Sequence, residues 1–131
     1  MTAKELLQPR FEVIAPIPLL ERYGLELGAV IELNCFNEEN NQYYCERYND
    51  LGKSKFYDEH YRSYPKRFRE MNWWEGRTAE QMPKKVQFED GEIVEIDSWD
   101  MQLLKGSFKS HPNCYIKLNH FGKDNVLTPI D

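Results

Sequence analysis

Alternating apolar and polar residues predict several short β-strands in this chain. Strands are predicted over residues 10 to 15, 28 to 33, 43 to 48 and 114 to 118, and the alternation is cleanest in the last of these segments. A period of two puts every second side chain on the same face of a sheet, so the apolar members of each segment should be buried. The positions expected to be buried are Phe11, Val13, Ile31, Leu33, Phe68, Val86, Phe88, Ile116 and Leu118. Cys114 shares the alternation of the last segment and is also expected to be a small buried residue.

A β-hairpin is predicted around Asp90 and Gly91. Asp-Gly is a preferred pair for a two-residue type I′ turn, and apolar, β-branched residues flank it on both sides. In that register Phe88 faces Ile93 and Val86 faces Glu95.

The middle of the chain predicts a helix that begins at Tyr64 and Pro65, since proline is tolerated in the first helical turn. At 3.6 residues per turn, Tyr64, Phe68 and Met71 share one face. The opposite face then carries a basic and aromatic set, namely Lys66, Arg69 and Trp73.

Together these patterns predict an α+β fold that is mainly β. The expected architecture is a small SH3-like, partly open barrel or an antiparallel sheet, with one short helix in the middle of the chain. The length of 131 residues predicts a single domain over residues 1–131.

Charge and cysteine content narrow the class of protein. A formal net charge of −5 disfavours a general nucleic-acid coat and a membrane-surface binder, both of which need an excess of basic residues. No apolar run approaches the roughly 18 residues of a membrane span, so no membrane association is expected. The first ten residues lack the apolar core of a signal peptide, and 3 cysteines are an odd number. We therefore expect reduced thiols in the cytoplasm.

Acidic residues cluster in and after the predicted hairpin, from Val86 to Leu104, without any lysine or arginine. The candidate acidic patch consists of Glu89, Asp90, Glu92, Glu95 and Asp97. One interpretation is the solvated side of a hairpin, whose surface is normally charged. The other is a negative patch that mimics the phosphates of a nucleic acid.

The residues do not form a known catalytic or metal-binding motif. His111 and Cys114 are one mixed pair separated by Pro112, whereas structural zinc sites carry paired ligand sets. Nucleophile elbows and phosphate-binding loops are absent from the sequence. We therefore predict no catalytic residues, no metal and no cofactor.

The candidate partner-binding surface is the outer face of the predicted helix. Adjacent tryptophans cannot both point in one direction, so one of them should face away from the core. An outward tryptophan beside basic residues is typical of a protein-binding hot spot and also of a base-stacking platform. Packing between the helix and a loop would explain the same pattern without a partner. The predicted partner-binding residues are Arg62, Lys66, Arg69, Trp73 and Trp74.

The order of several motifs resembles a family of small uncharacterised proteins encoded by phages and prophages. The motifs are Pro-Arg-Phe-Glu-Val-Ile at residues 9–14, Tyr-Pro-x-x-Phe-Arg at 64–69, Trp-Trp-Glu at 73–75, Met-Pro at 82–83, and Trp99. The resemblance implies a setting inside an infected bacterium and implies no activity, cofactor or catalytic residue.

From these observations we expect a non-enzymatic, phage-type interaction module that binds and modulates a host or phage protein in the bacterial cytoplasm. Inhibition of a host defence is one version of this function. The alternatives are a single-stranded nucleic-acid binder that uses the same helix face and, third, a small metal-independent hydrolase.

Overall fold

The computed structural model describes residues 2–49, 52–111, 113–118 and 127–131. The α-helices are α1 Ala3–Leu6, α2 Pro18–Arg22 and α3 Asp58–Arg62. The strands are β1 Arg10–Val13, β2 Val30–Glu32, β3 Cys35–Asn37, β4 Gln42–Asn49, β5 Gly52–Tyr57, β6 Phe68–Glu70, β7 Lys85–Gln87, β8 Ile93–Asp100, β9 Lys105–Phe108, β10 Tyr115–Lys117 and β11 Thr128–Ile130. A single 3₁₀ turn, Ala79–Gln81, completes the described elements.

The strands form antiparallel sheets, and the predicted class, α+β and mainly β, is confirmed. The strand orders are β2-β1-β6, β3-β4-β5 and β10-β9-β8-β7-β11. Contacts divide the chain into two compact units, one formed by Gln8–Trp73 and the other by Met1–Leu7 with Trp74–Asp131. We call these the first and the second unit.

The first unit packs its two sheets around one aromatic core. Phe11 and Val13 of β1 face Ile31 of β2 and Phe68 of β6 in the strand registers, and all four side chains are buried. This is the pattern that the alternation predicts, because one face of each strand is removed from water. The core is completed by Leu20, Leu25, Leu33, Cys45 and Tyr61.

Tyr61 joins the parts of this core. Its ring stacks on Phe11 at a centroid distance of 5.1 Å and meets Phe68 edge-on at 4.9 Å. Its hydroxyl oxygen lies 3.1 Å from the Sγ of Cys45 on β4. Burial and this contact raise the pKa of the phenol. One side chain of α3 therefore contacts both sheets of the unit.

The predicted helix over residues 64 to 74 is wrong. Helix α3 ends at Arg62, and Pro65 lies in a tight turn in which the backbone N–H groups of Arg67 and Phe68 both donate to the carbonyl of Tyr64 at 3.0 Å. That single turn accounts for the helical spacing of Tyr64 and Phe68. Beyond it the backbone pairs with β1 as strand β6, because this pairing buries Phe68 and satisfies its hydrogen bonds at the same time. The helix in the middle of the chain is α3, upstream of the predicted position.

The second unit contains the predicted hairpin, with its register shifted by one residue. Gln87 pairs with Ile93 and Val86 with Val94. The reason is a three-residue loop: the N–H of Gly91 donates to the carbonyl of Phe88 at 2.9 Å, and Gly91 takes a φ of 92°. A turn followed by a left-handed glycine is the next most common hairpin connection after the two-residue turn.

Burial follows the sequence prediction at eight positions and departs from it at two. Of the expected set, only Phe88 is half-buried, and its ring lies 6.1 Å from that of Phe108. Cys114 is exposed, which corrects the prediction of a buried residue. Strand β10 begins after Cys114, so the cysteine lies outside the alternation that buries Ile116 and Leu118.

We predict that Tyr61→Ala lowers the free energy of unfolding by about 3–5 kcal/mol, the usual cost of removing a large buried aromatic side chain. Tyr61→Phe keeps the ring and loses only the contact with Cys45, so it should cost about 1 kcal/mol. Urea unfolding of both variants measures the difference.

Tyr48→Ala is the matched control, since Tyr48 is 66% exposed, and its effect should stay within about 0.5 kcal/mol. Equal losses for Tyr61→Ala and Tyr48→Ala would contradict the role given to Tyr61.

Candidate functional site

The predicted partner-binding residues do not share a helix face. Arg62 ends α3, Lys66 lies in the turn after it, and Arg69 lies on β6. Trp73 and Trp74 follow that strand and are half-buried. The helical geometry that grouped these residues is therefore wrong, and their role in partner binding stays a prediction.

Arg62 is committed to ion pairs within the first unit. Its guanidinium donates to both carboxylate oxygens of Glu70, at 2.6 and 2.8 Å, and to Oδ1 of Asp58 at 2.6 Å. These bonds to Glu70 and then Asp58 raise the pKa of Arg62 against the opposing effect of burial. A bidentate arginine–carboxylate pair is geometrically specific. Arg62 therefore ties α3 to β6.

The acidic patch lies on the hairpin and is exposed, which both interpretations expect. Glu89, Asp90 and Glu92 belong to the loop and its exit, where Oδ1 of Asp90 accepts from the N–H of Glu92 at 2.9 Å. Glu95 forms an exposed ion pair with Lys109 at 3.4 Å. Asp97 lies at the bulge of β8 and is also exposed. Turn formation and solvation account for these carboxylates.

Two concave surfaces of the first unit share Tyr64, which the predicted helix placed on the face opposite its partner-binding residues. The side chain is 48% exposed and lines two open cavities, of about 530 and 380 Å³. The larger cavity is also bordered by Phe56, Tyr57 and His60, and the smaller by Pro65. Tyr64 thus forms a ridge between two recesses.

The cations around this ridge differ in their ion pairing from the other cations of the basic segment, which runs from Lys53 to Arg69. Lys53, Arg62 and Arg69 pair with Glu46, Glu70 and Glu12 respectively. Three others make no ion pair with any residue that the structure describes, and they are Lys55, Lys66 and Arg67. Lys55 lines the larger cavity, and the other two line the smaller one.

We refer to Lys55, His60, Tyr64, Lys66 and Arg67 as the Tyr64 surface. Its positive charge is local, since the whole chain has a net charge of −5. The sequence signal was the basic run from Lys53 to Arg69, which gives no information on which cations find acidic partners in the fold.

His60 is the histidine that lines the larger cavity. Its ring lies 5.3 Å from the rings of Phe56 and Tyr64 and 5.6 Å from that of Tyr61. Burial lowers the pKa of the imidazole below its usual 6.5, so the ring is mostly neutral at pH 7. Glu59 also borders this cavity, and its carboxylate accepts from Nε2 of Gln42 at 3.2 Å. Aromatic walls with fixed polar groups suit recognition of a ligand side chain or ring.

The described residues form neither a metal-ligating cluster nor a membrane-spanning helix. They contain no group of three or more His, Cys, Asp or Glu side chains placed to hold a metal ion. None of their helices combines the length and apolar character needed to cross a bilayer. Cys35, Cys45 and Cys114 are free thiols.

No protein-family model, curated protein or solved structure matches the chain. The family resemblance inferred from the motifs therefore stays a prediction.

We predict that His60 makes the protein less stable in mild acid. The unfolded chain protonates this histidine near pH 6.5, whereas the folded chain does so only at lower pH. The free energy of unfolding should therefore fall as the pH falls below about 6.5, because the unfolded state binds more protons there. Urea unfolding at a series of pH values measures this slope.

His60→Gln should flatten the slope, whatever its effect on stability at neutral pH. His111→Gln is the matched control, because it makes the same substitution at an exposed histidine. A slope that is identical in the wild type and in His60→Gln would contradict the assignment.

Proposed function

We propose that the chain is a non-enzymatic interaction module that binds a protein partner through the Tyr64 surface. The observation that carries this proposal is a half-exposed tyrosine between two cavities, bordered by three cations without ion pairs among the described residues. No second function is needed to account for this surface.

A ridge between two recesses suits a protein interface. Tyrosine and arginine are enriched among the residues that dominate binding energy, and such residues lie next to pockets that exclude water. Here Tyr64 offers a large ring, and each cavity accepts one or two side chains of a partner. Arg67 lines the smaller cavity together with Tyr64 and adds a second residue of the enriched types.

The partner should present an acidic segment at the contact. Lys55, Lys66 and Arg67 keep their charges available, and complementary charge speeds encounter and fixes orientation. His60 is mostly neutral at pH 7 and adds no repulsion to either sign of charge. The mechanism is steric: the bound module covers the acidic segment and blocks its other contacts.

The resemblance to small phage-encoded proteins supports a host or phage protein in the bacterial cytoplasm as the partner. Inhibition of a host defence protein is one version of this function.

Tyr64→Ala should weaken binding of that partner by about 2 kcal/mol, roughly thirtyfold, the scale of a hot-spot aromatic residue. In the experiment, the tagged wild-type chain and each tagged variant are incubated with bacterial lysate. Quantitative mass spectrometry then compares the amount of partner protein that each of them retains. Reversing charge at Lys66 and Arg67 together, by substitution with glutamate, should give a similar loss.

Tyr115→Ala controls for the removal of an exposed tyrosine, since Tyr115 is 51% exposed and lies in the second unit. Loss of the partner in this control, or its undiminished retention by Tyr64→Ala, would argue against the Tyr64 surface.

A further inference from the structure

The sheet β3-β4-β5 has one face that does not pack on the core of the first unit. Cys45 of β4 belongs to that core, and its cross-strand neighbour Phe56 packs against it. Side chains alternate along a strand, so Tyr44, Glu46 and Tyr48 point to the opposite face.

Strand β5 adds lysines and a third tyrosine to this opposite face. Its register places Tyr57 beside Tyr44, Lys55 beside Glu46, and Lys53 beside Tyr48. We call Tyr44, Tyr48, Tyr57, Lys53 and Lys55 the tyrosine face.

Tyr44 is in contact with a second ring, that of Tyr57, and with the side chain of Lys55. The rings of Tyr44 and Tyr57 lie 5.2 Å apart with their planes inclined at 45°. The Nζ of Lys55 lies 5.3 Å from the centroid of the Tyr44 ring. Tyr48 is four residues from Tyr44, or about 13 Å along the strand, and is 66% exposed.

We infer that the tyrosine face binds single-stranded nucleic acid. Bases stack on Tyr44, Tyr57 and Tyr48, and Lys53 and Lys55 contact the phosphates between them. Proteins that bind single strands combine exposed rings with cations that follow the backbone, and stacking tolerates any base. This function is separate from the proposed protein interface, which the face adjoins where Lys55 and Tyr57 also line the larger cavity.

The composition of the face favours a nucleic acid over a protein as its occupant. Lysine is depleted in protein–protein interfaces. Here Lys53 is the cross-strand neighbour of the exposed Tyr48, and Lys55 lies over the ring of the half-buried Tyr44. The charge is also complementary, since the three cross-strand pairs of this face contain two lysines and one carboxylate, Glu46.

Glu46 is expected to weaken the binding of a nucleic acid by this face. Its carboxylate holds the Nζ of Lys53 at 2.9 Å, and this hydrogen bond and charge raise the pKa of the lysine. A phosphate has to compete with Glu46 for Lys53. Removing the carboxylate should therefore strengthen binding of a nucleic acid, an effect opposite in sign to the usual loss on mutating a site.

The test is fluorescence anisotropy of a labelled oligothymidylate of about eight nucleotides, long enough to cover one small sheet. Tyr48→Ala should weaken binding at least about fivefold, and Tyr48→Phe, which keeps the ring, should bind like the wild type. Glu46→Gln should bind at least about twofold more tightly. With two phosphates contacted, the log–log dependence of affinity on salt should have a slope of about −1.4.

Matched probes separate stacking from charge. An abasic strand of the same length has the same phosphates without bases, and the duplex keeps its bases stacked inside, so both should bind more weakly than the single strand. Tyr115→Ala removes a tyrosine that also lies beside a lysine, with the Nζ of Lys105 4.7 Å from its ring centroid, and should have no effect.

Any of three results would overturn the inference. These are no binding of the oligothymidylate by the wild type, equal binding of the abasic strand, and wild-type affinity in Tyr48→Ala. The outcome is independent of the protein partner, because Tyr48 is not among the residues that line the two cavities of the Tyr64 surface.

Discussion

The packing of Tyr61 is the interaction on which the first unit depends. A helix as short as α3 is not stable by itself, because nucleating a helical turn costs more than its few hydrogen bonds return. The buried ring of Tyr61 contacts β1 and β6, and the Tyr61 hydroxyl contacts Cys45 on β4. These contacts hold α3 in place and with it His60 and Tyr64, which carry the candidate surface. The position of the surface is thus set from inside the core.

Charge pairing decides which part of the basic segment remains open to a partner. Glu12 of β1 and Glu46 of β4 neutralise Arg69 and Lys53, two of its cations. Exposed pairs of this kind contribute little to stability. Their larger effect is on the electrostatic potential, since the cations of residues 53–69 that they leave without an ion pair among the described residues lie at the edges of the cavities. A chain with a net charge of −5 acquires in this way a confined region suited to anions.

The sequence was informative where structure depends on neighbouring residues and uninformative where it depends on distant ones. Strand alternation predicted the burial of Phe11 and Ile31, and the Asp-Gly pair located the hairpin, because both are local properties. The helix was misplaced because pairing with β1 overrides the helical spacing around Phe68. The Tyr64 surface was missed because its cations differ from their neighbours only in lacking an ion pair among the described residues. Which cations are paired depends on the turns and strand pairings that bring Glu46, Glu70 and Glu12 next to Lys53, Arg62 and Arg69.

Because Cys45 is buried, the reactivity of its thiol can be used to measure how often the first unit opens. Its thiol is 5% exposed and lies against the Tyr61 hydroxyl, whereas Cys114 is exposed. A thiol reagent reaches Cys45 only in molecules whose unit has opened, so the labelling rate of this cysteine measures the free energy of that opening. Cys114 reacts at once and supplies an internal standard in the same molecule.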